Sequence, residues 1–194
     1  MPTHDLLWNE LGISIDLQRM GHVETTGWSD AIEAMLELEQ GALANPDEGR
    51  QVGHYWLRTP SLASQKQEQA IRASWVDLAE LMKKIHRFEA NELVMIGIGG
   101  SALGPQLLVD AFSRSTHRVH FLDNTDPQGI DEVLQSVNLS SSVIAVLSKS
   151  GGTKETRNAM VEAMAFYERN GVDFNARAIA VTVEGSKLYK MAIE

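Results

Sequence analysis

Hydroxyl groups, glycines and lysines are concentrated in one short stretch of the chain. Residues 148–153 read Ser-Lys-Ser-Gly-Gly-Thr, follow an apolar run at 143–147 and precede an amphipathic run at 157–169. This order predicts a strand, a glycine-bearing turn and a helix. A helix N-terminus presents unpaired backbone N–H groups and a partial positive charge, both of which attract anions. The pattern therefore favours a phosphate-binding turn.

The side chains of this turn also suit an anion. Ser148, Ser150 and Thr153 can donate hydrogen bonds to phosphate oxygens, and Lys149 adds a positive charge. Glu155 falls in the first helical turn, where it could orient the turn or meet a sugar hydroxyl. The alternative is an ordinary capped turn, because Ser and Thr are also preferred N-caps. We favour the phosphate site, since the donors outnumber what one cap needs.

A second glycine-rich turn occupies residues 97–105, again between a predicted strand and a predicted helix. It is not a dinucleotide-binding fingerprint, because Ala102 stands at the third glycine position, and no Gly-Lys-Ser/Thr closes it as a P-loop. Gly99, Gly100 and Ser101 would let backbone N–H groups and one hydroxyl face a ligand. Turns after neighbouring strands of an open α/β sheet can share one ligand. The alternative is that these glycines serve only close helix–strand packing.

A third turn carries two carboxylates, Asp123 and Asp126. Such a pair could perform acid/base catalysis. Asp and Asn also stabilise turns, and Asp126 precedes Pro127 as an N-cap would, so we favour the structural role. The six histidines show no metal-ligand spacing, since His117 and His120 are predicted to lie on opposite faces of a strand. We expect no metal and no cofactor.

Strand-like and helix-like runs alternate from residue 91 onward. The predicted strands cover 93–96, 119–122, 143–147 and 178–183, and the predicted helices cover 103–112, 127–137, 153–169 and 186–193. Alternation of this kind predicts an α/β fold, with a parallel sheet flanked by helices.

Residues 1–90 are predicted to be a mainly helical segment. A weak strand signal lies at 11–17, a helix is expected over 30–43 with Ser29 as its N-cap, and a turn is expected at 45–49. A further helix starts at a capping box formed by Ser64 and Gln67. Its apolar stripe recurs at helical spacing, so we expect its members to be core residues, Trp75 and Met82 among them. We expect two domains, 1–90 and 91–194.

The composition restricts the class of protein. Hydrophobic residues make up 43% of the 194 residues, which is enough for a packed core. The absence of cysteine excludes disulfides and thiolate metal sites and agrees with a cytoplasmic location. No secretory signal and no apolar run of about 18 residues is visible. The net charge of −9 argues against nucleic acid and an anionic membrane as partners, but not against a small phosphorylated ligand.

These motifs together resemble a known family. Ser148-x-Ser150-Gly151-x-Thr153-x-Glu155 resembles the phosphosugar-binding turn of sugar-isomerase (SIS) domains, which isomerases, transferases and sugar sensors share. Gly-Ile-Gly-Gly-Ser-x-Leu-Gly-Pro at 97–105 and Phe-x-Asp-Asn-x-Asp-Pro at 121–127 are similar to the phosphoglucose isomerase family in its bacterial or cyanobacterial-like form. The three motifs occur in order over 94–158. The resemblance implies an SIS-type, flavodoxin-like doubly wound sheet, incomplete in this chain.

The resemblance implies a role for each matching residue. The phosphate of the substrate would be held by Ser148, Lys149, Ser150 and Thr153. Gly100 and Ser101 would contact the sugar from the adjacent turn. The pair at 151–152 departs from the bulkier residues that some family members carry there.

The family interconverts glucose 6-phosphate and fructose 6-phosphate through an enediol. A Glu transfers the proton, a His and a Lys assist ring opening, and an Arg stabilises the intermediate; all lie in later motifs, including a Gly-Gly-Arg segment, that do not occur in 1–194. The resemblance also implies a second SIS domain and a homodimer that completes each active site. Because the sequence also stops inside a predicted helix, we expect an N-terminal fragment with substrate-binding turns and without the catalytic residues.

Two other functions stay open at this point. A stand-alone phosphosugar-binding module with a sensing role would use the same turns without catalysis, but it would normally carry an effector domain, and 1–90 shows no basic recognition helix. A nucleotide-binding α/β protein is disfavoured by the two failed fingerprints.

Overall fold

The structure is a computed structural model that describes residues 26–47, 49–87, 89–112 and 117–194, together with the backbone of 5–8 and 13–16. The chain divides into two units, Met1–Asp77 and Leu78–Glu194. The division falls inside a helix, and the domain boundary expected at 90/91 stays a prediction.

The first unit contains short strands and helices. Its elements are strands β1 (Asp5–Trp8) and β2 (Ile13–Asp16), helix α1 (Trp28–Glu39), strands β3 (Leu43–Asn45) and β4 (Arg50–Gln51), 3-10 turns at His54–Leu57 and Pro60–Leu62, and the start of helix α2 (Gln65–Arg87). β1 pairs with β2 and β3 with β4, both antiparallel. The strand expected within 11–17 is confirmed as β2, whereas β1 was not predicted. β3 and β4 flank the turn expected at 45–49.

The bounds predicted for the first helix, 30–43, are wrong at both ends. α1 starts two residues earlier, and its N-cap is Gly27 at a φ of 86° rather than Ser29, which lies inside the first turn. Beyond the other end, Gly41 adopts a φ of 98°, and Leu43 belongs to β3. Glycine adopts positive φ without a steric cost, so glycines bracket this helix on both sides.

The capping box predicted for α2 is confirmed, but its apolar stripe is not a core. The N–H of Ser64 donates to Gln67 Oε1 (3.3 Å), and the N–H of Gln67 donates to Ser64 Oγ (3.4 Å). Trp75 and Met82 are each 43% exposed, and Leu78 is 55% exposed. An amphipathic stripe is buried only where another element covers it, and none of the described residues covers these side chains. The prediction that Trp75 and Met82 are core residues is therefore wrong.

α2 is a long, charged helix. It has 23 residues, and its ion pairs join Arg72 to Glu68 and Lys83 to Glu80, both at 2.7 Å. Among the helices that the structure describes, none combines the length and the apolar character that crossing a membrane requires.

The second unit is built around a parallel sheet flanked by helices, which confirms the predicted α/β class. Its elements are β5 (Glu92–Ile96), α3 (Gly100–Ala111), β6 (Arg118–Leu122), α4 (Pro127–Ser136), β7 (Ser142–Leu147), α5 (Lys154–Arg169), β8 (Ala178–Val181) and α6 (Lys187–Ile193). The strands run parallel in the order β6-β5-β7-β8. Every strand and helix predicted after residue 91 is present, with ends shifted by a few residues.

Alternate residues of the two central strands form the buried face of the sheet. Val94, Ile96 and Ile144 are fully buried, and Val146 nearly so. Helices α4 and α5 contribute Ile130, Leu134, Ala159, Met160, Ala163 and Tyr167 to this cluster, and Leu122, Val137, Phe174 and Leu188 complete it. Because the small residues of α5 lie one turn apart, the helix can approach the sheet closely. This packing holds the carboxyl ends of β5 and β7, from which the glycine-rich turns leave.

Candidate anion-binding site

The two glycine-rich turns lie side by side. β5 and β7 are paired in parallel with Ile96 opposite Val146, so the turns that follow them leave the same edge of the sheet. A Cβ atom at Gly97 would lie 3.2 Å from the carbonyl oxygen of Leu147 and 3.3 Å from its Cβ. Glycine at this position therefore lets the two strand ends approach each other closely. The sheet order brings residues 97–101 and 148–153 together, as expected.

The helices that begin at these two turns have no side-chain cap. Asp126 and Ser186 each cap their helices, α4 and α6, by accepting the N–H three residues on, at 2.9 and 3.0 Å. α3 instead begins after Gly99, which has no side chain, and Thr153 at the start of α5 makes no cap hydrogen bond. Among the described residues, the first-turn N–H groups of α5 thus lack a side-chain acceptor. In α3 the N–H groups of Ser101 and Ala102 instead donate to the carbonyl oxygens of Ile98 (3.2 Å) and Gly99 (2.9 Å). The plain capped-turn alternative does not describe this site, because the cap is missing.

Ser148 shapes the turn from the inside. It is only 6% exposed, and its Oγ accepts the N–H of Gly151 at 3.1 Å. The same hydroxyl donates to Thr153 Oγ1 at 3.4 Å, which engages the hydroxyl that would otherwise cap α5. These bonds stabilise a turn in which the first helical N–H groups stay uncovered.

The other predicted site residues of this turn are more accessible. Lys149, Ser150 and Glu155 are exposed, and Thr153 is half-buried. Ser150 Oγ accepts the N–H of Gly152 at 3.1 Å, which leaves the hydroxyl proton for an external acceptor. A positive charge and donor groups are therefore available at the open side of the turn.

The adjacent turn offers open backbone. A Cβ atom placed on Gly99 or Gly100 would meet no atom within 4 Å, so both positions face open space. Gly99 has a φ of 58° and a ψ of −123°, a conformation that glycine tolerates best. Ser101 is half-buried at the start of α3. The close-packing alternative fits Gly97, which abuts Leu147, but not these two glycines.

The two carboxylates of the third turn, Asp123 and Asp126, have the structural role that the sequence analysis favoured. Asp126 caps α4 and its own N–H donates to Asn124 Oδ1 at 2.9 Å. Asp123 accepts a hydrogen bond from Gln106 on α3 at 2.7 Å. Both carboxylates thus already have donors inside the fold.

The start of α6 packs against the turn at 148–153. Gly151 has a φ of 64°, and a Cβ atom there would lie 2.2 Å from the backbone nitrogen of Leu188. Behind the turn lies a cavity of about 20 Å³ that Ser148, Gly151 and Thr153 help to line. A cavity of that size holds about one water molecule, so any larger ligand of this turn would have to bind on its outer side.

Sequence reasoning missed one residue of this arrangement. Thr182, directly after β8, donates its hydroxyl to the carbonyl oxygen of Ser148 at 2.6 Å. A single threonine after a strand carries no local signal, and its partner lies 34 positions earlier. Only the pairing of β7 with β8 brings the two residues together.

Comparison with known proteins establishes the family. A family model described as phosphoglucose isomerase matches residues 17–194. The chain belongs to the phosphoglucose isomerase family. The match contains all three motifs from which the resemblance was inferred, and so confirms it.

Individual members of the family show how much of a typical relative this chain represents. It is 42% identical to the glucose-6-phosphate isomerase of Rippkaea orientalis, over 94% of this chain and 38% of that protein. The identity to the glucose-6-phosphate isomerase of Geobacter sulfurreducens is 41%, over 98% of this chain and 40% of that protein. The crystal structure of a glucose-6-phosphate isomerase from Chlamydia trachomatis matches with a TM-score of 0.73 and 28% identity, over 83% of this chain and 34% of that one. The chain thus spans about two fifths of the length of its curated relatives.

Proposed function

We propose that the protein interconverts glucose 6-phosphate and fructose 6-phosphate, and that this chain supplies the binding site for the phosphate and part of the sugar. The observation that carries the proposal is the pair of uncapped helices, α3 and α5, at adjoining turns of one sheet edge. The two neighbouring helices of the same unit are capped by side chains. The N-terminus of α5 supplies N–H donors to a phosphate, and the N-termini of both helices add a positive field.

Each site residue has a part in this proposal. Ser150 and Thr153 donate hydrogen bonds to the phosphate, together with the first N–H groups of α5, and Lys149 adds charge. Ser148 acts from beneath by holding Gly151 and Thr153 in place. From the neighbouring turn, Gly100 and Ser101 contact the sugar. The remaining residue, Glu155, lies exposed in the first turn of α5, where it is placed to meet a sugar hydroxyl.

Phosphate binding and proton transfer are separate tasks in this reaction. Binding energy from a phosphate remote from C1 and C2 positions the reacting carbons. Proton transfer needs a base within hydrogen-bonding reach of those carbons. We assign the first task to this chain and the second to residues outside 1–194.

The proposal extends to partners and location. We infer that the partner is a small phosphosugar rather than nucleic acid or a membrane, because the chain has a net charge of −9 while its donors are local to one turn. We further propose a homodimer and a cytoplasmic location, as expected from the resemblance and from the absence of cysteine.

The experiment is calorimetric titration of the chain 1–194 with glucose 6-phosphate, fructose 6-phosphate and unphosphorylated glucose. Both phosphosugars should bind, and glucose should bind far more weakly. The double variant Ser150→Ala/Thr153→Ala should lose ~1–3 kcal/mol of phosphosugar binding free energy, the range for hydrogen bonds to a charged group. An affinity equal to that of the unchanged chain would refute the site.

Two controls accompany the titration. Ser140→Ala removes an exposed hydroxyl that bonds Asn138 at 2.8 Å, just before the opposite end of β7, and should leave the affinity unchanged. A coupled isomerase assay on 1–194 should detect no turnover. Substantial turnover would show that the base lies within this chain and would overturn the assignment of proton transfer.

A further inference from the structure

The loop between β8 and α6, residues 182–186, holds the phosphate turn from behind. Thr182 Oγ1 lies 2.6 Å from the carbonyl oxygen of Ser148 and 2.7 Å from Ser186 Oγ. A threonine hydroxyl has one proton, so donation to the carbonyl leaves Thr182 to accept from Ser186. Ser186 Oγ in turn accepts the N–H of Tyr189 at 3.0 Å. A continuous chain of hydrogen bonds therefore links the start of α6 to Ser148.

A second contact holds the next peptide unit. The N–H of Val183 donates to the carbonyl oxygen of Lys149 at 3.3 Å, and Thr182 Oγ1 lies 3.4 Å from the same oxygen. The carbonyl groups of two successive residues therefore both point toward the 182–186 loop.

These contacts decide where two backbone N–H groups point. In a planar trans peptide the N–H lies opposite the C=O of the same unit. Holding the carbonyl of Ser148 thus directs the N–H of Lys149 away from the loop, and holding the carbonyl of Lys149 does the same for the N–H of Ser150. Within the described part of the chain, neither N–H has an acceptor.

We propose that Thr182 is a positioning residue for phosphate binding: it turns the N–H groups of Lys149 and Ser150 toward the phosphate of the bound sugar. The inference rests on the proposed function, and what it adds is a positioning residue outside the recognised motif. Successive N–H groups that point the same way form an anion-binding concavity. Donors oriented in advance need no rearrangement when the anion arrives.

The first test compares two substitutions of one side chain in the chain 1–194. Thr182→Val keeps the β-branched shape and removes the hydroxyl, whereas Thr182→Ser keeps the hydroxyl. Thr182→Val should weaken glucose 6-phosphate binding roughly tenfold, the loss expected when a hydrogen bond to a charged group is weakened. Thr182→Ser should bind within about twofold of the unchanged chain. Asn138→Ala controls for stability loss: it removes the side-chain oxygen that accepts the N–H (3.2 Å) and the hydroxyl (2.8 Å) of Ser140, just before the start of β7.

The second test starts from the unchanged chain, so its first result does not depend on the folding of a variant. In the unchanged chain labelled with 15N, titration with glucose 6-phosphate and with inorganic phosphate should shift the backbone amide resonances of Lys149 and Ser150. If Thr182 only stabilised the 182–186 loop, its substitution would not change how the amide resonances of Lys149 and Ser150 respond to the ligand. In Thr182→Val the same two resonances should respond less, while those at the start of α3 keep their response.

The outcomes separate the two proposals. Binding by the unchanged chain, a tenfold loss in Thr182→Val and recovery in Thr182→Ser support the inference, as do shifts at both amides. If the unchanged chain binds but Thr182→Val binds equally well, or the two amides do not shift, the inference is wrong and the proposed function stands. If the unchanged chain binds no phosphosugar, the proposed function fails and the inference fails with it.

Discussion

Gly151 and Gly152 are adjacent in the sequence and play different parts in the structure. Gly151 has a φ of 64°, and a side chain there would run into the backbone of Leu188. Gly152 has no such constraint, because a Cβ atom would meet only Ser150 Oγ, at 3.4 Å. The bulkier residues that the resemblance associates with this pair therefore fit the second position and not the first.

This difference predicts opposite results for two matched substitutions. Gly151→Ala should lower the free energy of unfolding by at least about 1–2 kcal/mol, the cost of a left-handed conformation for a residue with a Cβ, before the displacement of α6 is added. Gly152→Ala should change it by no more than about 0.5 kcal/mol. Urea denaturation of both variants measures the two values. Equal stability of the two proteins would contradict the close approach of Leu188.

At the scale of elements, α5 is anchored to the sheet by a buried pair of hydroxyls. Tyr167 is fully buried, and its hydroxyl lies 2.8 Å from Ser142 Oγ at the start of β7. Ser142 donates its own proton to the carbonyl of Leu139 (3.0 Å), so Tyr167 is the donor of the pair. Phe174 packs against the tyrosine ring edge-on, with centroids 5.9 Å apart. The anchor lies at one end of α5 and the uncapped N-terminus at the other.

Burial also makes this anchor sensitive to alkaline pH. Desolvation raises the pKa of Tyr167 above its ordinary value of about 10, although the hydrogen bond with Ser142 and the charge of Arg177 oppose the shift. The unfolded tyrosine therefore ionises first as the pH rises. The contribution of Tyr167 to stability is complete below about pH 10 and is lost above it.

Tyr167→Phe should therefore be less stable than the unchanged chain by about 1 kcal/mol at pH 7. The gap should narrow as the pH rises above about 10, because phenylalanine does not ionise. Urea denaturation at a series of pH values measures the gap. Phe174→Leu is the control. It removes the ring contact but keeps the Tyr167 hydroxyl, so the difference in its free energy of unfolding from the unchanged chain should stay constant over the same pH range. If the difference in free energy of unfolding between Tyr167→Phe and the unchanged chain also stays constant with pH, the burial of the hydroxyl is contradicted.

At the scale of the whole molecule, the candidate site is confined to one of the two units. Residues 97–101, 148–153 and 182–186 all belong to Leu78–Glu194. The Met1–Asp77 unit contributes none of the groups assigned to phosphate binding. Exposed apolar side chains occur in both units, for instance Ile32 in α1 at 59% and Leu107 in α3 at 68%.

This placement predicts where a ligand changes the dynamics of the chain. A saturating concentration of glucose 6-phosphate, 100 times the dissociation constant, should stabilise the folded state by about 2.7 kcal/mol, if the ligand binds only that state. Hydrogen exchange followed by mass spectrometry should show added protection at 97–103 and 148–157. Peptides from α1 and from the β3–β4 hairpin should exchange as before. Protection that appears first in α1 would place the ligand elsewhere.

Local patterns in the sequence were sufficient for the α/β class, the elements of 91–194, the Ser64–Gln67 capping box and the two glycine-rich turns. Strand and helix periodicity, capping and turn chemistry act over a few residues, so they can be read directly from the order of the side chains. They were not sufficient for the start of α1 or for the exposed stripe of α2, because burial depends on what covers a helix.

The tertiary structure alone decided how the site is assembled. Pairing of β5 with β7 placed the two turns together, and pairing of β7 with β8 brought Thr182 to Ser148. Packing of α6 left no space for a side chain at Gly151. It also turned the Ser148 hydroxyl inward and left Thr153 without a cap bond. These outcomes depend on contacts between residues far apart in the chain, and such contacts leave no periodic or local mark on the sequence.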